Sequence, residues 1–165
     1  MRDPKRPHRR RWGKLRLFPV VFSMSDMPAP TSTTASERVC ISPPGLAPLV
    51  PAYSVAVRDG EWVFVSGMTG MKPGTQDIVD GGIGPQTRQT MENVRTAIEA
   101  AGATMADVAE VTVFLKDIAD YAGMNAEYIP FFPVNPPARA TLAVSAMPRP
   151  AALVEVKCSA RIRHR

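Results

Sequence analysis

The sequence contains very little cysteine or histidine, and the few copies stand far apart. Its two cysteines, Cys40 and Cys158, are too few for a disulfide scaffold and form no CxxC pair, so both are expected to be small buried apolar residues. The two histidines, His8 and His164, lie near the chain ends, outside any predicted element. This pattern excludes a histidine-based catalytic triad, and no residue spacing suggests a metal site.

The chain also lacks a basic surface on its main body and any apolar stretch long enough to span a membrane. The total net charge is +5, but residues 1–24 hold eight Lys and Arg against a single Asp, which gives that segment +7. The remaining residues therefore carry −2. Since phosphate contacts dominate nucleic-acid affinity, we expect no specific nucleic-acid partner.

The domain organisation is predicted from composition. Residues 1–36 form a basic extension rich in Pro, Ser and Thr, with too little apolar surface to fold, and residues 37–165 form a single domain. The basic segment is interpreted as disordered or as an over-extended start, with Met24 or Met27 as the natural beginning. A targeting sequence or a nucleic-acid-binding arm are the alternatives. We expect a cytoplasmic protein, with mitochondrial targeting as the less favoured alternative.

The first half of the domain predicts a hairpin and a helix. Residues 53–67 are two β-rich runs joined at Asp59-Gly60, a dipeptide favoured in type I′ turns. A helix is predicted to begin at Gly84-Pro85, with Pro85 at its first position and Gly102 as its C-cap. Its apolar residues recur at helical spacing: Met91, Val94, Ala97, Ile98 and Ala101.

The second half predicts a strand at 108–117, a second helix that Pro130 ends or kinks, and two final strands. The helix carries apolar residues at helical spacing: Tyr121, Met124, Tyr128 and Phe131. The order from the hairpin onward is β-β-α-β-α-β-β, and a short strand at 39–42 precedes it. This order predicts an α+β fold, a mixed sheet with both helices on one face.

An arginine and a glutamate stand out in the two final strands. If residues 147–150 turn the chain, Glu155 lies across from Thr141, and Arg139 lies one step further along the same face, away from the helices. An arginine can bind a carboxylate through two hydrogen bonds, and a half-buried glutamate can activate a water molecule. The alternative is a structural ion pair between Arg139 and Glu155.

Nearly the whole domain, residues 41–162, resembles the Rid family, the YjgF-type reactive-intermediate deaminases. The resemblance rests on PAYSVAV, EWVFVSG, GGIGPQTRQTMENV, EVTVFLKDIADYAGMNAEY and PPARATLAV followed by LVEV. It implies a chorismate-mutase-like fold and a homotrimer with three clefts between subunits. The implied activity is hydrolysis of small carboxylate-bearing enamines or imines, such as 2-aminoacrylate, to 2-oxo acids and ammonia, with no cofactor.

The resemblance also assigns roles to individual residues. It implies that Arg139 of the PAR motif binds the substrate carboxylate and that Glu155 assists the attacking water. Tyr53, Ser66 and Gly67 match the family's substrate-contacting positions. From spacing alone, Tyr53 more often indicates a core or interface aromatic residue, Ser66-Gly67 a strand-end turn, and Asn125 a helix-surface amide. Asn125 and Thr141 complete the candidate substrate-binding set.

Three departures from the family pattern bear on substrate choice: Thr141 replaces a frequent cysteine, Met68 replaces a glutamine, and Pro130 interrupts a helix. The alternatives to a 2-aminoacrylate-type deaminase are a related deaminase in aromatic or pyrimidine catabolism and a non-catalytic trimer that binds a small carboxylic acid. A ribonuclease is disfavoured by the charge of the domain. The sheet face opposite the helices is expected to carry apolar residues that a trimer would bury: Leu153, Ala143, Trp62 or Phe64, and Tyr53.

Overall fold

The computed structural model describes residues 37–46 and 51–163, so the predicted extension at residues 1–36 lies outside the described residues. The strands are β1 Arg38–Ile41, β2 Ala56–Asp59, β3 Trp62–Thr69, β4 Val108–Leu115, β5 Ala138–Ala143 and β6 Val154–Arg161. The helices are α1 Ile83–Ala100 and α2 Tyr121–Tyr128, with short 3₁₀ turns at Met105–Asp107, Ile118–Asp120 and Ile129–Phe131. The predicted element order is confirmed. No helix in this part of the chain is long and apolar enough to cross a membrane.

The predicted β2–β3 hairpin forms, but its turn is one residue later than the sequence indicated. Asp59 pairs with Trp62, so Gly60 and Glu61 form the two-residue loop. Gly60 has φ 60°, and Glu61 is not among the residues with positive φ. A glycine with positive φ at the first central position is the pattern of a type II′ turn rather than the type I′ turn predicted.

Helix α1 begins and ends close to the predicted limits. It starts at Ile83, which places Pro85 at its third residue instead of its first. At the other end Gly102 has φ 84°, its N–H donates to Glu99 O at 2.9 Å, and the Ala103 N–H donates to Ile98 O at 3.1 Å. These two bonds form a Schellman motif, which only a residue that tolerates positive φ completes without strain.

The apolar side of α1 supplies much of the core. All five apolar residues that predicted the helix are 3% exposed or less: Met91, Val94, Ala97, Ile98 and Ala101. They pack with fully buried Val63, Val113, Val154 and Val156 of the sheet. Each large buried side chain contributes about 1.5–3 kcal/mol to the free energy of unfolding. On α2, Met124 and Tyr128 are buried as predicted, whereas Tyr121 is 44% exposed.

The sheet has six strands in the order β1-β2-β3-β6-β4-β5. β5 pairs with β4 in parallel, and β6 pairs antiparallel with both β3 and β4. The predicted pairing of β5 with β6 is therefore wrong, because the chain leaves the edge strand β5, crosses β4 and enters between β3 and β4. Val154, Val156, Cys158 and Ala160 of β6 are 3% exposed or less, which explains why β6 occupies a central position.

The helices cover one side of the sheet and leave the other side open. Trp62 and Phe64 lie on the open side at 45% and 48% exposure, with ring centroids 6.4 Å apart. Leu142 is 49% exposed, because it pairs with Phe114 rather than facing the helices as predicted. Ala143 instead shares the side of buried Leu115. Cys158 is buried as expected, but Cys40 is exposed on the edge strand β1, which corrects the prediction that both are buried.

Candidate functional site

Arg139 lies on the helix side of the sheet, which corrects the prediction that it points away from the helices. It pairs with Val111, which is 1% exposed and pairs in turn with buried Cys158. Directly paired residues point to the same side of a sheet, so the Arg139 side chain extends from β5 toward α2. Its Nη1 donates to Asn125 Oδ1 at 2.7 Å, and its Nη2 donates to the Tyr121 hydroxyl at 3.1 Å.

Two further tyrosine contacts fix the arginine. The guanidinium carbon lies 4.7 Å from the ring centroid of Tyr128 and 5.7 Å from that of Tyr121. The hydrogen bond from Asn125 and the nearby Arg139 charge lower the pKa of the Tyr121 hydroxyl, and burial raises the pKa of Tyr128 to about 12. Cation–π contacts of this kind hold a guanidinium in place without neutralising it.

We call the group around this guanidinium the arginine cluster. It consists of Arg139, Tyr121, Asn125, Tyr128 and Thr141. It holds two buried oxygens, the Tyr128 hydroxyl and Thr141 Oγ1, that have no hydrogen-bond partner among residues 37–46 and 51–163. Arg139 has no ion pair among the described residues. A buried polar atom without a partner is costly, so this cluster is suited to a polar ligand or to water.

Glu155 lies on the open side of the sheet. It alternates with Val154 and Val156, both fully buried, and it pairs with Phe114 on β4 and Thr69 on β3. Desolvation by partial burial raises the pKa of its carboxyl. In the part of the chain that the structure describes, this carboxyl has no hydrogen bond and no ion pair. The alternative of a structural ion pair with Arg139 is therefore wrong within one chain.

A β-bulge brings Gly67 against the glutamate. The register of β3 against β6 shifts between Val65 and Met68, so that Ser66 and Gly67 share one position of β6. A Cβ atom built on Gly67 would lie 2.0 Å from Glu155 Oε1, so any other residue at this position would force the Glu155 carboxyl to move. Ser66 donates its hydroxyl hydrogen to Ser54 O at 2.7 Å, so its side chain anchors the strand end. Glycine at position 67 thus creates the space that the Glu155 carboxyl occupies.

The glutamate borders a cleft of about 540 Å³, which we call the glutamate cleft. Its lining includes three residues predicted from the sequence, Tyr53, Ser66 and Gly67. Arg149 and Lys157 also line it, and the sequence reasoning missed both. A signal for Lys157 was available, because it follows Glu155 by two residues and shares its side of β6. No pattern pointed to Arg149, which lies in the connection between β5 and β6.

The candidate residues thus separate into two groups on opposite sides of one sheet. Arg139, Asn125 and Thr141 lie in the arginine cluster, whereas Glu155, Tyr53, Ser66 and Gly67 lie at the glutamate cleft. The predicted convergence of Arg139 and Glu155 on one face is wrong for a single chain. Counting residues across an assumed β5–β6 hairpin produced this error, since β4 separates the two strands.

A larger depression of about 780 Å³ lies on the outer surface of the two helices. Its charges are mutually paired, with Arg88 Nη2 2.7 Å from Glu127 Oε1 and Arg95 bonded to Glu92. Pairing leaves little charge for a ligand, so we assign the site to the glutamate cleft and the arginine cluster instead. Among residues 37–46 and 51–163, no three His, Cys, Asp or Glu side chains are placed to hold a metal ion.

A protein-family model described as Endoribonuclease L-PSP matches residues 46–162, which is most of the chain. The chain belongs to this family, which includes the Rid and YjgF proteins. A RutC family protein of Pyrococcus horikoshii is 42% identical over 108 residues, 66% of this chain and 85% of that protein. The chloroplastic Reactive Intermediate Deaminase A of Arabidopsis thaliana is 31% identical over 147 residues, 86% of this chain and 78% of that protein.

Further Rid relatives include a 2-iminobutanoate/2-iminopropanoate deaminase of Rattus norvegicus, 37% identical over 100 residues, 61% of this chain and 73% of that protein. Among solved structures, RidA from an Antarctic Psychrobacter has a TM-score of 0.70 at 32% identity and covers 75% of this chain and 99% of its own. TdcF of E. coli with bound serine has a TM-score of 0.71 at 28% identity, and the match covers 76% of this chain and 99% of the TdcF chain. These Rid structures confirm the predicted chorismate-mutase-like α+β fold.

Proposed function

We propose that the protein hydrolyses small enamines and imines that carry a carboxylate, of the 2-aminoacrylate type, to 2-oxo acids and ammonia. The names of the Arabidopsis and rat relatives support imine deamination at the level of the family. The serine bound to E. coli TdcF supports a ligand that carries an α-carboxylate and a nitrogen on the neighbouring carbon. No cofactor is part of this proposal.

The observation that carries the proposal is the unpaired Glu155 carboxyl against Gly67 in a cleft of about 540 Å³. A general base is most effective when its pKa lies near the working pH, and burial moves the pKa of Glu155 in that direction. Glu155 would take a proton from water as the water oxygen attacks the C=N carbon. Glu155 would return that proton to the imine nitrogen, which gives a carbinolamine. The hydroxyl proton of the carbinolamine then moves to the amino group as the C–N bond breaks, so that ammonia leaves and the carbon keeps the oxygen as a ketone. An enamine enters this sequence as its imine tautomer.

Binding of the substrate carboxylate requires a fixed cation, and Arg139 meets that requirement. Its guanidinium is oriented by Asn125 and Tyr128 and has no carboxylate partner among the described residues. A planar guanidinium binds a carboxylate through two parallel hydrogen bonds. Because the sheet separates Arg139 from Glu155, both can contact one small molecule only if they come from different copies of the chain.

We therefore propose a homotrimer in which the arginine cluster of one subunit meets the glutamate cleft of the next. The exposed residues Trp62, Phe64 and Leu142 on the open side of the sheet give such an assembly apolar surface to bury. Cyclic symmetry with three copies places three equivalent clefts between subunits. Each subunit then supplies Arg139 to one cleft and Glu155 to another.

Size-exclusion chromatography with light scattering tests the assembly. The expected mass is three times that of the 17.9 kDa chain. Phe64→Asp should shift the measured mass toward that of the monomer, because burying a charge in the apolar subunit interface costs free energy of association. A wild-type protein that remains monomeric at micromolar concentration would contradict the intersubunit cleft.

A coupled assay tests the activity. A pyridoxal-phosphate lyase that releases 2-aminoacrylate from serine or cysteine supplies the substrate, and the release of 2-oxo acid is followed over time. We expect the purified protein to accelerate this release in proportion to its concentration. If the rate stays at that of spontaneous decay at every protein concentration, the proposed deaminase activity is refuted, and a protein that only binds carboxylic acids becomes the better explanation.

The family description as an endoribonuclease offers a second activity, which this chain's charge does not favour. Residues 25–165 carry a net charge of −2, and the glutamate cleft contains one arginine and one lysine rather than an extended basic groove. Phosphate contacts from several cations dominate RNA affinity. Any RNA cleavage observed should therefore depend on the basic residues 1–24 and disappear when they are deleted.

A further inference from the structure

Arg149 is an oriented cation at the glutamate cleft that the proposed reaction does not use. Its Nη1 donates to Gln76 O at 2.8 Å and its Nη2 donates to Gln76 Oε1 at 2.6 Å, with Met71 Sδ at 3.2 Å from Nη2. All three partners are neutral. Arg149 forms no ion pair in the described parts of the chain, so its full charge remains available.

Lys157 provides a second cation on the same cleft. It follows Glu155 by two residues on β6, which places the two backbone positions about 7 Å apart on the same side of the strand. Lys157 is exposed and forms no ion pair among residues 37–46 and 51–163. It also lies across from the bulge at Ser66 and Gly67, next to the space that Gly67 leaves for the glutamate.

Neither cation neutralises Glu155. No ion pair joins the glutamate to Arg149 or Lys157, and burial alone accounts for the raised pKa of the Glu155 carboxyl. The cleft of about 540 Å³ therefore presents two unpaired cations beside one carboxyl that must act as a base. An anionic ligand would pair with these cations and leave Glu155 free for its role.

We propose that Arg149, assisted by Lys157, binds a second acidic group of the substrate, so that the site prefers imines of amino dicarboxylic acids. The inference rests on the proposed function, in which Arg139 of a neighbouring subunit binds the α-carboxylate. Arg149 then recognises the distal carboxylate from the same subunit as Glu155. The hydrogen bonds that Arg149 donates to Gln76 fix the guanidinium before the ligand arrives, which reduces the entropy lost on binding.

The test compares two imines made in place by amino acid oxidases, one from alanine and one from glutamate. Their hydrolysis is followed as a decrease in the trapping of the imine by semicarbazide. We expect the wild-type kcat/KM to be higher for the dicarboxylate imine. Arg149→Met should lower that value about ten- to a hundred-fold while changing the value for the monocarboxylate imine less than about three-fold.

Two matched variants complete the design. Arg149→Lys keeps the charge without the planar fork and should recover part of the dicarboxylate preference. Arg88→Met removes an arginine from the outer helix surface, where it pairs with Glu127, and should leave both rates unchanged. Equal losses for both imines in Arg149→Met would show that Arg149 binds the α-carboxylate or supports the fold, and would overturn the proposal. So would a wild-type preference for the monocarboxylate imine.

A binding measurement separates this inference from the proposed activity. Calorimetric titration with 2-oxoglutarate and with pyruvate compares a dicarboxylate with a monocarboxylate and needs no turnover. We expect the wild type to bind 2-oxoglutarate at least ten-fold more tightly and Arg149→Met to lose this difference. If neither imine is hydrolysed but the difference in affinity persists, the proposed function fails and the recognition by Arg149 stands. Equal affinities in the wild type would overturn the recognition itself.

Discussion

Replacing Glu155 by glutamine is expected to lower kcat for imine hydrolysis by about two to four orders of magnitude, the usual contribution of a positioned general base. Glutamine keeps the size of the side chain, and Gly67 still provides the room for it. KM should change little, because the carboxylate of the substrate is bound by arginine. Steady-state kinetics with the coupled assay would measure both constants.

The pH dependence of wild-type kcat/KM should follow the titration of the Glu155 carboxyl. Burial raises the pKa of Glu155, so kcat/KM should fall as the pH decreases through a value above the ordinary 4.5. The acid limb should be absent from the residual activity of the glutamine variant. Glu99→Gln, an exposed change on α1 away from both candidate groups, is the matched control and should keep the wild-type profile.

As the pH rises through the pKa of Glu155, the free energy of unfolding should decrease while the activity increases. A raised pKa in the folded state means that folding favours the protonated carboxyl, so this stabilising effect is complete at low pH and is lost as the pH rises through the folded-state value. Glu155→Gln should therefore unfold at a Tm equal to or above that of the wild type at pH 7, and the difference should vanish in acid. A lower Tm at pH 7, with activity lost in parallel, would indicate a structural role and contradict the general-base assignment.

Mixed trimers of Arg139→Met and Glu155→Gln subunits are expected to recover activity that neither parent has. In a cyclic trimer with both kinds of subunit, one interface joins an intact Arg139 to an intact Glu155. Purified mixed trimers should therefore show about one third of the wild-type rate, whereas each parent trimer shows almost none. Co-expression with two different affinity tags isolates the mixed species. Methionine keeps the apolar stem of Arg139 beside Tyr128, which limits damage to the fold.

The recovery distinguishes an intersubunit site from the alternatives. If both residues acted within one subunit, every subunit in the mixture would lack one of them and the mixed trimers would remain inactive. Mixing the Glu155→Gln subunit with Arg88→Met, whose change lies outside the candidate site, gives the reference. Two interfaces carry an intact Glu155 when the trimer holds one Glu155→Gln subunit, and one interface does when it holds two. Recovery that follows the number of intact interfaces would locate the reaction between subunits.

Local features of the sequence predicted the elements well, because each depends on residues close together in the chain. The 3.6-residue spacing from Met91 to Ala101 identified α1, and Gly102 marked its end because the Schellman motif needs positive φ. The alternation in β6 placed Val154 and Val156 inside and Glu155 outside, as the structure shows. The small errors at Pro85 and at the hairpin turn are shifts of one or two residues within correctly identified elements.

The sequence by itself determined which residues of a strand share a side, but the tertiary structure decided which side faces the helices. Arg139 and Thr141 share one side of β5, and Ala140 and Leu142 share the other. Apolar content favoured Leu142 inside, yet pairing with β4 turns Arg139 toward α2 and leaves Leu142 exposed. The reason is that alternation groups the residues of an edge strand into two sides without specifying which side faces the helices. Pairing with the neighbouring strand specifies it. The position of β6 between β3 and β4 is equally non-local, and it separates Arg139 from Glu155 in one chain.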